Sequence, residues 1–267
     1  GVDQQKIRDL ANQYLADDRY KASWQDPKRS LFDEASMRFG GKITLVEHRR
    51  CLPEIIGFSN RVAYEPDNVR LLPVRQRKAD SLPPVRAVYV ADGYETGRRT
   101  NPAEADAVVE QIINCVTNPA YAGKSMGVIS LMGKEQAELI KHKLINIIDP
   151  ELWLAHDIRC GDAADFQGSE RDVIFLSMVK SAEPGRPART VVGDMYVQRY
   201  NVAASRAKDQ MWLFHSLRLE DLGNPADMRH QLLDYVYGVI NREHNTDERV
   251  LQSSVPEDAL VEPFDSL

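Results

Sequence analysis

Two groups of arginines in this sequence stand beside elements that can aim them at an anion. The first lies in Gln198-Arg199-Tyr200-Asn201-Val202-Ala203-Ala204-Ser205-Arg206-Ala207-Lys208. At about 3.6 residues per helical turn, Arg199, Val202, Ala203 and Arg206 share one face. The alanines allow the helix to lie close to a sheet while the arginines reach out at one end. The second group is Arg49-Arg50, after a short apolar run. A guanidinium stays charged and donates several hydrogen bonds from a planar fork, which suits it to an anion, although an Arg-Arg pair after a strand is by itself usually solvated surface. A polar loop, Asp165-Phe166-Gln167-Gly168-Ser169-Glu170-Arg171-Asp172, precedes the first group in the chain.

The elements that must hold these side chains read as alternating strands and helices. Val173-Ile174-Phe175-Leu176-Ser177-Met178-Val179 is apolar on both faces, as in a parallel strand covered on both sides, and Met211-Trp212-Leu213-Phe214-His215 is similar. A Pro/Gly-rich loop is expected over residues 183–187. Further strands are expected over residues 42–46, 85–90, 126–131 and 157–160. Asn101-Pro102-Ala103-Glu104 has a capping side chain, Pro at the first helical position and Glu at the third. Capping accounts for both Asn101 and Glu104, so no chemistry is assigned to them. Residues 134–148 form another helix, and Asn224-Pro225-Ala226-Asp227 opens a last one. The alternation implies an α/β fold, a mostly parallel sheet with helices on both faces.

The expected organisation is a helical lead-in over residues 1–29, a main domain over 30–240 and an acidic, flexible linker over 241–267. Ile7, Leu10, Ala11, Tyr14 and Leu15 place an amphipathic helix in the lead-in, and Ser30 with Asp33 starts a second helix. With Gly1 in place of a methionine, the chain is expected to be a piece of a longer protein. The net charge of −6 is concentrated in the last segment, where seven acidic residues face two basic ones after residue 240. The rest is near neutral, so a local basic groove remains compatible with a phosphate-backbone partner. The basic loop Arg75-Gln76-Arg77-Lys78 is expected to be solvated.

Three cysteines, Cys51, Cys115 and Cys160, are too few and too far apart for a disulfide framework or a zinc site, and they point to a reducing, cytoplasmic setting. No apolar run approaches membrane-spanning length, so no membrane partner is expected. Gly123-Lys124-Ser125 imitates the end of a P-loop, yet Asn118 stands where the first glycine belongs, and the triplet follows a helix and precedes a strand. It is rejected as a phosphate site.

FQGSERDVIFLS followed by RYNVAASRAK resembles motifs V and VI of superfamily 1 helicases. The subgroup is the one that includes the nonsense-mediated-decay RNA helicase and the Dna-two-type DNA helicases. Glu47-His48-Arg49-Arg50-Cys51-Leu52-Pro53-Glu54-Ile55-Ile56-Gly57-Phe58-Ser59-Asn60 is similar to the subgroup's segment built on Gln-Tyr-Arg-Met and then Pro, Glu, Ile, Phe and Asn. Val128-Ile129-Ser130-Leu131-Met132-Gly133-Lys134-Glu135-Gln136 resembles motif IV. The resemblance implies a second RecA-like motor domain, contributing to a site for ATP with Mg²⁺ whose P-loop and metal-binding acids belong to a first RecA-like domain. It implies Arg49 and Arg206 as arginine fingers and His48 at the nucleotide base. It further implies Glu170 at a ribose hydroxyl and Gln167 as the nucleotide-contacting residue that couples to nucleic acid. Ser130 and Gln136 are implied as nucleic-acid contacts, although a serine at a strand's end is also a simple helix cap. Implied partners are nucleic acid, DNA in preference to RNA, the first motor domain and a following nuclease-like domain. Translocation from 5′ to 3′ would fit the subgroup. The alternative in another class is a degenerate RecA-like module that binds partners and hydrolyses nothing.

Overall fold

The computed structural model describes residues 3–15, 19, 21–27, 29–78, 81–182 and 189–253, the side chains of 246–253 excepted. The chain divides into two compact units, Gly1–Leu45 and Val46–Leu267. The first contains α1 (Gln4–Tyr14), α2 (Lys21–Trp24) and α3 (Leu31–Phe39). Ser30 caps α3 as expected: its hydroxyl accepts from the Asp33 N–H, and Asp33 accepts from the Ser30 N–H in return. Within this unit, Ser23 Oγ donates to Glu34 at 2.8 Å.

The second unit opens with β1 (Glu47–His48), paired in parallel with β2 (Leu72–Pro73). The strand expected over residues 42–46 does not form there; an apolar run lacks a ladder unless a partner lies beside it. Between the two runs α4 (Pro53–Ser59), with Pro53 at its first turn, passes directly into a π turn, Asn60–Tyr64. Asn60 anchors the return of the chain, exchanging two 2.9 Å hydrogen bonds with the Leu71 backbone. The main sheet follows: β3 (Val85–Tyr89), α5 (Pro102–Val116), β4 (Met126–Ser130), α6 (Lys134–Ile145), α7 (Pro150–Ala155), β5 (Arg159–Asp162), β6 (Arg171–Ser181), α8 (Asp194–Ala204), β7 (Ala207–Ser216) and α9 (Met228–Ser253).

The five strands β3 to β7 lie in the order β3-β7-β6-β4-β5, all parallel. Period-two alternation explains why strands such as β6 are apolar throughout. Ile174 and Leu176 enter one core with Met211, Leu213 and residues of α4, α8 and α9. Val173 and Phe175 enter the opposite core with Phe214 and residues of α5 and α6. This is the architecture expected of a RecA-like domain. Among the described residues no helix is long and apolar enough to cross a membrane.

The expected boundaries shift. The compact unit begins at Val46 rather than residue 30, and α9 continues through Ser253, past residue 241 where a linker was expected. Residues 254–267, and the expected loop at 183–187, lie outside the described residues.

Candidate phosphate-binding hollow

Parallel pairing of β6 with β7 sets Arg171 opposite Ala207, so the residues just before these two strands meet at the sheet's amino edge. These residues are Glu170 and Arg206, and the Arg171 N–H donates to the Arg206 carbonyl at 3.0 Å. The loop between β1 and α4 reaches the same place. The Leu52 N–H donates to the Lys208 carbonyl at 3.1 Å, which brings Arg50 over the strand ends. An open hollow of about 480 Å³ results, lined by His48, Arg49, Arg50, Ile56, Tyr64, Glu170, Ser205 and Arg206. Four of the residues implied by the resemblance therefore meet: His48, Arg49, Glu170 and Arg206.

The arginines differ within it. Arg49 turns out to the rim, pairs with Glu47 at 2.7 Å, and is 77% exposed. Arg50 faces inward. Its Nε donates to Glu170 at 2.6 Å and its Nη1 to the Ser205 carbonyl at 3.3 Å, while Nη2 has no acceptor among the described residues. Arg206 donates from Nε to the Val202 carbonyl at 3.2 Å and from Nη1 to the Ser169 carbonyl at 3.3 Å. It makes no ion pair among the described residues. Burial, and next the charge of Arg50, hold the Arg206 pKa below its ordinary value. A guanidinium remains protonated regardless, so the hollow keeps two inward cations against one carboxylate. That imbalance calls for an anion from outside.

His48 accepts a hydrogen bond at Nε2 from the Cys51 N–H at 3.0 Å. Burial and then Arg50 lower its pKa, so its neutral imidazole persists at neutral pH. Tyr64, at the end of the π turn, lines the same hollow; helical spacing counted from α4 does not anticipate that placement. Arg50 and Tyr64 also line the hollow, and reading the sequence did not single them out. The signal for Arg50 was its fixed separation from Pro53, where α4 begins.

Three expected site residues lie elsewhere. Ser130 and Gln136 are both fully buried, which corrects their reading as nucleic-acid contacts. Ser130 Oγ accepts from the Gly133 N–H at 3.3 Å in the turn ahead of α6, but Gly133 is the residue that precedes the helix and no side chain caps it, so Ser130 is not the cap either. Gln136 is saturated: its oxygen accepts from the Asn101 N–H at 2.9 Å, and its amide donates to the Asn101 carbonyl and to Ser177 Oγ, each at 3.1 Å. Gln167 is exposed and lines a separate hollow with Gln198 and Arg199, not the one around Arg206. Nor do Arg199 and Arg206 act from one helical face, because α8 ends at Ala204 and the chain turns before Arg206.

At the opposite, carboxyl edge of the sheet a second hollow of about 410 Å³ is lined by Arg99, Met132, Lys180, Arg189, Tyr196 and Arg199, among others. Lys180 is paired with Glu95, and Arg99 lies 3.9 Å from Glu135. Arg199 sits over the Tyr196 ring and pairs with no carboxylate among the described residues. Beneath this edge lies Glu104, which does more than begin a helix. Asn101 caps α5 through the Glu104 N–H. The Glu104 carboxylate instead accepts from Ser177 Oγ (2.7 Å), the Val179 N–H (2.8 Å) and Ser216 Oγ (3.2 Å). Val179 carries a φ of 70°, a strained value for a β-branched residue. Among the described residues no group of three or more His, Cys, Asp or Glu side chains is arranged to hold a metal ion.

A family model described as AAA domain matches residues 27–217, well over half of the chain. No curated protein matches the chain significantly. Among solved structures, the C-terminal domain of a possible DNA helicase from Lactobacillus plantarum WCFS1 aligns over 62% of this chain and 86% of that chain, at 16% identity and a TM-score of 0.36.

Proposed function

The chain belongs to the AAA domain family, and from that premise we propose that it is the second RecA-like domain of an ATP-driven nucleic-acid helicase or translocase. The observation that carries this reading is the convergence of Arg50 and Arg206 on one open hollow with a net positive charge. The residues fit the anionic phosphate end of ATP. They do not fit Mg²⁺, since the single carboxylate, Glu170, is engaged by Arg50. A partner domain with a P-loop would therefore hold the metal and most of the triphosphate. ATP bound there supplies the phosphoryl group to be transferred, and the free N–H groups of Arg50 and Arg206 would meet the charge that develops on it. Glu170 orients Arg50 through Nε, which leaves the outer end of the fork available. Arg49, the finger that the sequence resemblance favoured, sits at the rim and has a smaller role in this reading. His48 and Tyr64 present ring faces to the nucleotide base.

The carboxyl-edge hollow is the proposed nucleic-acid track, with Arg199 as a phosphate contact and Tyr196 as a stacking face. The loop from Asp165 to Glu170 touches both ends, since Gln167 stands beside Arg199 while Ser169 accepts from Arg206. This supports a coupling role for Gln167 in preference to direct nucleotide contact.

The isolated chain is expected to turn over no ATP, and a longer protein joining it to a P-loop domain is expected to hydrolyse ATP when nucleic acid is added. Steady turnover by the isolated chain would overturn the assignment of the P-loop to a partner. An active longer protein indifferent to Arg206→Ala would leave the domain a binding module. For the track, Arg199→Ala should weaken single-stranded nucleic-acid binding uniformly across sequences and reduce the slope of log affinity against log salt by about 0.7. Titrations at several salt concentrations read that slope; an unchanged slope removes Arg199 from the track.

A further inference from the structure

Two sequence features have no part in the reading above: the basic loop after β2, and the rejected Gly123-Lys124-Ser125 triplet. The structure brings them together behind the arginine hollow. Arg75 Nη1 donates to the Arg50 carbonyl at 2.7 Å and to the Lys208 carbonyl at 3.1 Å. Its Nη2 donates to Asp209 Oδ1 at 2.5 Å. The other oxygen of Asp209 accepts from Lys124 Nζ at 2.9 Å. Burial alone would raise the Asp209 pKa, but the hydrogen bonds from Lys124 and Arg75 outweigh it and the net shift is downward. The anchor is therefore ionised at neutral pH. Ser125 belongs to the same support: its N–H and hydroxyl donate to Asp172, at 2.8 and 2.7 Å, and Asp172 also accepts from Lys208 Nζ at 2.6 Å.

One guanidinium thus ties the backbone of Arg50 to the start of β7, two residues beyond Arg206. The tie has a physical reason. Arg50 and Arg206 carry like charge, and the repulsion between them opposes their approach to one anion. Holding their main chains together from behind resists it, and a fork that meets two carbonyls and a carboxylate at once does this better than a point charge. With all three of these bonds made, Arg75 has little left for an external phosphate. Arg77 is likewise engaged, by Glu243 at 2.6 Å.

We propose that Arg75, anchored by Asp209 and Lys124, is a positioning residue that holds Arg50 and Arg206 at the spacing needed to grip one phosphoryl group. The proposal rests on the phosphate-hollow reading. Its test is a double-mutant cycle in the longer protein that contains the P-loop domain, measuring nucleic-acid-stimulated ATP hydrolysis. Arg75→Ala should lower kcat by about ten- to a hundredfold, the cost of slight misplacement of a catalytic group. The KM for ATP should change less than about twofold, because the partner domain supplies most of the binding. Arg75→Lys should restore little. In an Arg50→Ala background the same Arg75→Ala change should cost less than about twofold, since its effect passes through Arg50. An undiminished cost in that background, or a wild-type kcat for Arg75→Ala, overturns the proposal. If Arg75→Ala does not fold, Asp209→Asn, which removes the anchor and leaves the fork, is read by the same criteria. Should Arg50→Ala itself leave kcat unchanged, the phosphate-hollow reading fails and this proposal fails with it. A large Arg50→Ala effect without coupling to Arg75 sinks the proposal alone.

Discussion

Replacing Arg206 by Ala in a protein that joins this domain to a P-loop domain is expected to reduce nucleic-acid-stimulated ATP hydrolysis by about 10³-fold or more. Arg50→Ala should act in the same direction and to a similar extent. Both guanidiniums turn inward, and Arg206 meets only carbonyl oxygens, at 3.2 and 3.3 Å. The loss should appear in kcat more than in KM, because the interaction strengthens as charge builds on the transferring group. Lysine at either position should rescue poorly, since an ammonium cannot keep the internal carbonyl contacts while presenting free N–H groups outward. Arg49→Ala should cost far less, because Arg49 is an exposed rim residue paired with Glu47. Melting temperature should change only slightly in Arg206→Ala. Near-normal hydrolysis combined with a large drop in melting temperature would mark these arginines as structural, and the catalytic assignment would be withdrawn.

The second large effect concerns stability and its dependence on pH. Glu104 is fully buried, and burial pushes its pKa from 4.5 up to about 7 despite the hydrogen bonds that favour the anion. Its folded-state pKa lies above the unfolded one, so the native state binds the extra proton between these values. Stability from this group is complete below about pH 4.5 and is lost as pH rises through about 7. At about 1.4 kcal/mol per pKa unit, the loss by pH 8 is roughly 3 kcal/mol. Glu104→Gln cannot ionise and should be free of it. The stability of Glu104→Gln relative to the parent sequence, from urea unfolding at matched pH, should therefore rise by roughly 2 kcal/mol or a little more between pH 5 and pH 8. Taking the difference cancels the other carboxylates. A flat difference across that range would mean that Glu104 ionises normally and that its hydrogen bonds to Ser177, Val179 and Ser216 offset burial.

Much of the scaffold was legible in the sequence because its determinants are local. β6 and β7 had to be buried on both faces, since Ile174 and Leu176 alternate with Val173 and Phe175 and all are apolar. Asn101 before Pro102, and Ser30 before Asp33, begin helices where their capping chemistry predicts. His48, Glu170 and Arg206 were expected to act together from their resemblance to helicase motifs, and the fold brings them to one hollow. Tertiary structure alone decided matters that depend on which strands become neighbours. Arg206 lies beyond the end of α8, so helical periodicity grouped it with Arg199, while the sheet places them in hollows at opposite edges. Arg49 and Arg50 are indistinguishable by type, and only the docking of their loop on Lys208 turns Arg50 inward. Ser130, Gln136 and Glu104 are polar residues near element ends, where short-range reasoning predicts caps or surface contacts. Gln136 and Glu104 are buried where α5 and α6 pack on the sheet, and partners far away in sequence, Asn101 and Ser177 for the one and Ser177 and Val179 for the other, satisfy their polar atoms. The sequence specifies those partners only through the assembled fold, because a buried polar group's acceptors and donors come from strands that its own neighbours in the chain do not encode.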